Sequence, residues 1–175
     1  FYYDFDNPEP FSDKDLKAIQ KEMVKIINRK LPVIREEVNR EEAKKRIEAI
    51  QEPYKLEILA DIKEEPITIY HLGDQWWDLC AGPHVENTKD INPKAIELES
   101  VAGAYWRGDE TKAQLQRIYA TAWETPEQLA EYKRRKEEAL RRDHRKLGKE
   151  LGLFIFADPV GPGLPLWTPK GTLLR

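Results

Sequence analysis

Gly82-Pro83 breaks the chain just after its most chemically loaded stretch, Asp78-Leu79-Cys80-Ala81-Gly82-Pro83-His84. That stretch holds the only cysteine in the sequence and one of its three histidines. Upstream, Gly73-Asp74 marks a turn, and Gln75-Trp76-Trp77 leads into a strand. Alternate side chains of a strand share a face, so Trp77 and Leu79 are predicted to point one way and Asp78 and Cys80 the other. The apolar pair can then pack on a core while the carboxylate and the thiol face an opening. A turn at Gly82-Pro83 swings His84 back beside Cys80. A thiol and an imidazole together make half of a zinc site, or a nucleophile with its base, or a thiol whose neighbouring histidine only hydrogen-bonds nearby groups. The spacing alone leaves all three open. A two-residue hairpin at Gly73-Asp74 would set Ile69 opposite Asp78 and Ile67 opposite Cys80, with His71 near the turn and a poor third ligand.

The remaining elements follow from period and punctuation. Phe1-Tyr2-Tyr3-Asp4-Phe5 is strand-like. Ser12 and Asp15 form a capping pattern for a helix whose apolar residues Leu16, Ile19, Met23, Ile26 and Ile27 recur at helical spacing to about Arg29. Val33 to Val38 reads as a strand, and Asn39 with Glu42 caps a second helix carrying Ala43, Ile47 and Ile50, whose Lys44-Lys45-Arg46 run is a solvated face. Pro53 to Leu59 fits helix or strand, and its Lys55 is either a pocket residue or a solvated lysine. Ile67 to Tyr70, Ile96 to Trp106 and Leu115 to Trp123 read as strands, with a turn at Arg107-Gly108-Asp109. Thr125-Pro126-Glu127-Gln128 starts a helix predicted to run to about Leu151. Beyond it, Phe154-Ile155-Phe156 and a Pro/Gly-rich loop from Pro159 to Pro165 open a different unit. The fold class expected is α+β: helices packed on a mostly antiparallel sheet, then a long linker helix.

Charge narrows the classes of partner. The net charge is −3 over 175 residues, but it is unevenly spread. Residues 1–125 carry 18 Lys and Arg against 25 Asp and Glu, whereas residues 126–150 carry nine against six. A nucleic acid would therefore meet a local basic helix face, not a basic body. Tyr105-Trp106-Arg107 either stacks on a base and pairs with a phosphate, or is two core aromatics and a surface arginine. One cysteine excludes an internal disulfide framework and suits a reducing cytoplasm, and no apolar run is long enough to cross a bilayer. A first residue other than Met, and a last stretch that stops as an element gets under way, are expected of a fragment.

Several stretches together resemble threonyl-tRNA synthetases, from the editing domain into the start of the class II catalytic domain. They are Phe1-Tyr2-Tyr3-Asp4-Phe5, Glu52-Pro53-Tyr54-Lys55-Leu56-Glu57, Asp78 to His84, Ala102-Gly103-Ala104-Tyr105-Trp106-Arg107-Gly108-Asp109, Leu115-Gln116-Arg117-Ile118-Tyr119, Arg142-Asp143-His144-Arg145-Lys146-Leu147-Gly148 and Leu166-Trp167-Thr168-Pro169-Lys170-Gly171. The resemblance implies residues 1–125 as an editing (second additional) domain lacking its N-terminal part, 126–150 as a linker helix and 151–175 as the beginning of the catalytic domain. A His-x-x-x-His pair precedes the Phe-Tyr-Tyr segment in the family; either this chain begins after it or lacks it.

What the resemblance implies chemically is hydrolysis of mischarged seryl-tRNA, within an enzyme that attaches threonine to its tRNA using ATP. Asp78, Cys80, His84 and Lys55 would be the catalytic residues, and Tyr2, Tyr3, Gly82, Tyr105, Trp106 and Arg107 would bind substrate and tRNA. His84 would order or activate the water or hold the ribose, Cys80 would line the pocket, Asp78 would accept from the substrate amine or orient a neighbour, and Lys55 would face the oxyanion. Zinc is left open, with Cys80 and His84 as the candidate half-site; ATP and magnesium belong to the full-length enzyme. The partners implied are the tRNA 3′ acceptor end, the rest of the synthetase and a second copy of it as a homodimer, in the cytoplasm. A non-catalytic tRNA-binding spacer and an editing domain of the alanyl type are the alternatives.

Overall fold

The computed structural model describes residues 1–157, 161 and 163–174, in two compact units divided after Pro126. In the first unit the order is β1 (Tyr2–Phe5), α1 (Asp13–Asn28), β2 (Val33–Val38), α2 (Arg40–Ala49), α3 (Pro53–Asp61), β3 (Ile67–Leu72), β4 (Trp76–Leu79), β5 (Ile96–Tyr105) and β6 (Gln114–Ala122). The strands form two three-stranded antiparallel sheets, β2-β3-β4 and β1-β6-β5. The α+β expectation holds, with the antiparallel strands divided between two sheets and not gathered in one.

Local chemistry explains the element starts. Ser12 and Asp15 form the capping box of α1, the Ser12 amide donating to Asp15 Oδ2 at 2.8 Å. Asn39 Oδ1 accepts from the Glu42 amide at 2.8 Å and starts α2. The ambiguous segment after Pro53 is helical, with Pro in the first turn, where its missing N–H costs nothing. Its Leu56 and Leu59 join Val38, Ala43, Ile47, Ile67 and Ile69 in one core, with Trp77 and Leu79 packed against it. Those two β4 residues are the ones that alternation assigned to the core. Helix α1 lies along β5, where the Gln20 side chain donates to Ile96 O at 3.1 Å and accepts from Leu98 N at 3.0 Å, beside the irregularity between Leu98 and Ser100.

The hairpin register differs from the sequence expectation. Three residues, not two, separate β3 from β4, and the pairs are Ile69 with Leu79, Tyr70 with Asp78 and His71 with Trp77. A one-residue slip exchanges the faces of a strand. Core residue Ile69 thus pairs with core residue Leu79, and Tyr70 takes the place beside Asp78.

The second unit comprises α4 (Pro126–Arg141), α5 (His144–Glu150), β7 (Phe154–Phe156), β8 (Pro165–Trp167) and α6 (Pro169–Leu174). The expected long helix is present over Pro126 to Glu150 with one interruption at Arg142-Asp143, where Asp143 Oδ1 accepts from the Arg145 amide at 2.8 Å and starts a new helix. The Phe154 ring lies so close to Gly148 that a Cβ there would collide with it. Residues 159, 160 and 162 of the expected Pro/Gly-rich loop lie outside the described residues. Among the described residues no helix is long and apolar enough to cross a membrane.

On the core side of β2, Glu36 accepts two bonds from Arg46 (2.8 and 3.1 Å) and lies 2.6 Å from His71 Nε2. The Arg46 guanidinium first, and then His71, hold the Glu36 carboxyl at about 2 against an ordinary 4.5. A carboxyl more acidic in the folded chain contributes stability that is full above pH 4.5 and is lost as pH falls towards 2. The pair is about one-third exposed, so the contribution is discounted to about 1 kcal/mol. Glu36→Gln is expected to remove that stretch of the pH dependence, read from urea unfolding at pH 5 and pH 3; an unaltered slope refutes it.

Candidate active site

The face of β4 opposite the core carries Asp78, followed at its end by Cys80, whose amide donates to Thr68 O at 3.2 Å. The chain then reverses through Gly82 at φ +78°, a left-handed conformation that glycine adopts without steric cost. The reversal brings His84 Nε2 to 3.0 Å from Cys80 Sγ, while the Gly82 amide donates to the same sulfur at 3.3 Å. The Tyr70 ring packs on the His84 ring with centroids 4.3 Å apart and a 43° tilt. The thiol and the imidazole are therefore adjacent, and the imidazole's orientation is set by an aromatic neighbour.

Asp78 is the centre of a second cluster. Lys55 of α3 places Nζ 2.9 Å from Asp78 Oδ1, and the pair is largely shielded, with side-chain exposures of 15% and 18%. The Tyr3 hydroxyl donates to Asp78 Oδ2 at 2.8 Å, and the Leu79 amide donates to Oδ1 at 2.8 Å. Partial burial, and then the Asp78 carboxylate, push the Tyr3 phenol well above its usual value, so it remains a donor. A carboxylate has about four acceptor positions, and three are occupied here. Among the described residues Asp78 is the one partner of the Lys55 ammonium, which carries three N–H groups. Tyr70, the cross-strand partner of Asp78, joins the two clusters, because its ring meets His84.

Of the residues singled out in the sequence, the structure gathers Tyr3, Lys55, Asp78, Cys80, Gly82 and His84. Tyr2 alternates away from Tyr3 and carries Arg117 over its ring at 3.8 Å, the same arginine making a two-point bond to Asp4 at 2.7 and 2.8 Å. Trp106 and Arg107 are engaged with α3: Trp106 Nε1 donates to Glu57 Oε2 at 2.9 Å and Arg107 Nη1 lies 2.6 Å from Asp61 Oδ2. Tyr105 beside them is exposed. His71 is spent on Glu36. Tyr70 was missed, although its alternation with Ile69 carried the signal. Two surface hollows, one lined by Asn39 and residues of α2 as far as Glu48 and one by Arg29, Leu31 and Pro32 with Leu72, Gly73, Asp74 and Gln75, lie apart from the cluster, and His84 is exposed, so the site is open to solvent.

The donor set for a metal is short. Cys80 and His84 supply two ligands where a catalytic zinc takes three and a structural one four, and no group of three His, Cys, Asp or Glu is poised for a metal among the described residues.

Comparison with known proteins shows which family the chain resembles. Residues 67–119, which include β3, β4, Cys80, His84 and most of the β5-β6 hairpin, match the family model described as threonyl and alanyl tRNA synthetase second additional domain. Over its full length the chain is 86% identical to a threonine–tRNA ligase of Thermosynechococcus vestitus and 85% identical to one of Synechocystis sp., covering 29% of each. A Synechococcus sp. threonine–tRNA ligase is 70% identical over the same 175 residues, which are 28% of its length. The chain belongs, as a segment, to the threonyl-tRNA synthetase family, and spans under one-third of the length of the curated relatives it matches.

The turn at Gly82 can be tested by itself. A Cβ there would collide with the Tyr70 hydroxyl in addition to straining the left-handed backbone. Gly82→Ala is expected to lower stability by about 1–3 kcal/mol. Adding Tyr70→Phe, which removes the clashing oxygen, should restore part of that loss in urea unfolding; no recovery would show that the contact is not what fixes the turn.

Proposed function

We propose that residues 1–125 act as the proofreading site of a threonine–tRNA ligase, hydrolysing seryl esters wrongly attached to the threonine tRNA. The observation that carries this is the 3.0 Å approach of His84 Nε2 to Cys80 Sγ beside the Tyr3–Asp78–Lys55 cluster. Threonine and serine differ by one methyl group, and a difference of that size gives a synthetic site only about 10–200-fold selection. A second pocket that admits serine and rejects threonine by its methyl group supplies the rest.

The reaction needs a water on the ester carbonyl, stabilisation of the oxyanion and a proton for the departing ribose oxygen. His84 orders that water and accepts its proton as oxygen bonds to the carbonyl carbon. When the carbon–oxygen bond to the ribose breaks, the same proton is returned to the leaving oxygen. Lys55, held by Asp78, turns its remaining N–H groups to the oxyanion. Cys80 lines the face on which the seryl side chain rests. Asp78 acts as an orienter, since three of its acceptor positions are filled.

In the whole enzyme, ligation of threonine with ATP and magnesium is assigned to the part of the protein outside this segment, with residues 126–150 as the link and 151–175 as the opening of the catalytic domain. The tRNA acceptor end, a homodimer partner and a cytoplasmic setting belong to the same proposal. The purely RNA-binding alternative is disfavoured by the pairing of Arg134 with Glu131 and Glu138, Arg141 with Glu137, Arg142 with Glu138 and Arg145 with Asp143, which balances much of the basic face.

In the full-length enzyme, His84→Ala is expected to slow seryl-tRNA hydrolysis by about 10²-fold or more. Lys55→Ala should cost about 10²-fold as well. Cys80→Ala should raise the hydrolysis of correctly charged threonyl-tRNA relative to seryl-tRNA, because it removes the sulfur from the face on which the side chain of the ester rests. Deacylation of both esters by purified variants checks all three, and unchanged rates in His84→Ala and Cys80→Ala together would refute the assignment.

A further inference from the structure

The proposed site straddles two sheets: Tyr3 belongs to β1-β6-β5, Asp78 to β2-β3-β4, and Lys55 reaches Asp78 from α3. Something must fix α3, a nine-residue helix too short to be stable by itself. Its Leu56 and Leu59 side packs on the β2-β3 core. Tyr54, Glu57 and Asp61 fall on the opposite side at helical spacing, and every one of them is held from elsewhere. Trp106 Nε1 donates to Glu57 Oε2 at 2.9 Å, and the Trp106 ring meets Tyr54 edge-on with centroids 4.8 Å apart. Arg107 pairs with Asp61 at 2.6 Å and lies 3.7 Å from Glu57, as does Lys112. Tyr54 OH donates to Asp6 Oδ2 at 2.7 Å.

The loop that delivers these groups is itself constrained. Arg107 sits at φ +57°, a left-handed conformation uncommon for a residue with a side chain. Such a conformation persists where its surroundings hold it. Here it belongs to the 3-10 turn Trp106–Gly108, which directs both Trp106 and Arg107 at one helix.

We propose that Trp106 and Arg107 are positioning residues that clamp α3 across the two sheets so that Lys55 is held against Asp78, and that they do not themselves contact the RNA. The inference rests on the proofreading assignment for its catalytic consequence, but not for the clamp. Arg107 also lies 5.5 Å over the Trp106 ring, so cation and aromatic are already turned to each other and to α3.

The test uses the full-length enzyme with Trp106→Phe, which keeps the ring and removes the donor, and with Arg107→Ala. Amide hydrogen exchange over residues 53–61 is expected to quicken by about tenfold in each variant. For seryl-tRNA hydrolysis, kcat should fall by about tenfold with KM within about twofold, the pattern of a misplaced group. Glu57→Gln, whose amide oxygen can still accept from Trp106, should retain more protection than Glu57→Ala. Unchanged exchange in α3 overturns the clamp. So does a KM that rises about tenfold with kcat held and a shallower salt dependence, which is the mark of a direct RNA contact. If the unsubstituted enzyme does not hydrolyse the ester, the proofreading assignment fails, and the exchange over α3 still decides the clamp.

Discussion

The structure of the first unit turns on the Asp78 carboxylate. Oxygens of one side chain take a phenol from β1, an ammonium from α3 and a backbone amide from β4 itself. Two of those donors come from different layers, so a single residue ties both three-stranded sheets and a helix to one point. Removing a charge from water is costly, and a shielded pair such as Lys55–Asp78 is tolerated only when its remaining valences are met. Asp78 has three met and Lys55 has one.

Around that point the molecule separates structure from chemistry by the two faces of one strand. Trp77 and Leu79 close the core formed with Ile47, Ile67 and Ile69, and Asp78 and Cys80 look the other way. Because Val38, Ile47, Leu59, Ile67 and Ile69 present apolar side chains to them, Trp77 and Leu79 hold the register of β4 against slipping. Each of the polar residues thereby inherits a defined neighbour: Asp78 meets Tyr70, and Tyr70 meets His84. Rigid apolar packing on one side is what gives the reactive side its order.

Much of this was legible from residue order. The capping residues Ser12 and Asn39, the in-and-out alternation of Trp77 to Cys80, and the return of His84 through Gly82-Pro83 all follow from short-range chemistry that any chain with those residues would share. The break at Asp143 was less visible, since a helix-starting residue inside a strongly helical stretch reads as one more polar position until its side chain turns back to Arg145 N. The hairpin failed by one residue because Gly73-Asp74 suggests a two-residue turn, although the apolar matching of Ile69 with Leu79 argued for three.

That Cys80 and His84 meet was determined by the sequence itself, because four residues and a glycine-proline reversal bring the thiol and imidazole together, while the orientation of the imidazole depends on Tyr70. Which distant residues join them was decided only by tertiary structure. Tyr3 is 75 positions from Asp78, Lys55 is 23 away and Trp106 is 49 from Glu57. Contacts at such separations depend on how two sheets and a helix pack, which no local pattern of polarity encodes. The same packing engaged Trp106 and Arg107 with α3, although their composition suggested a surface for RNA.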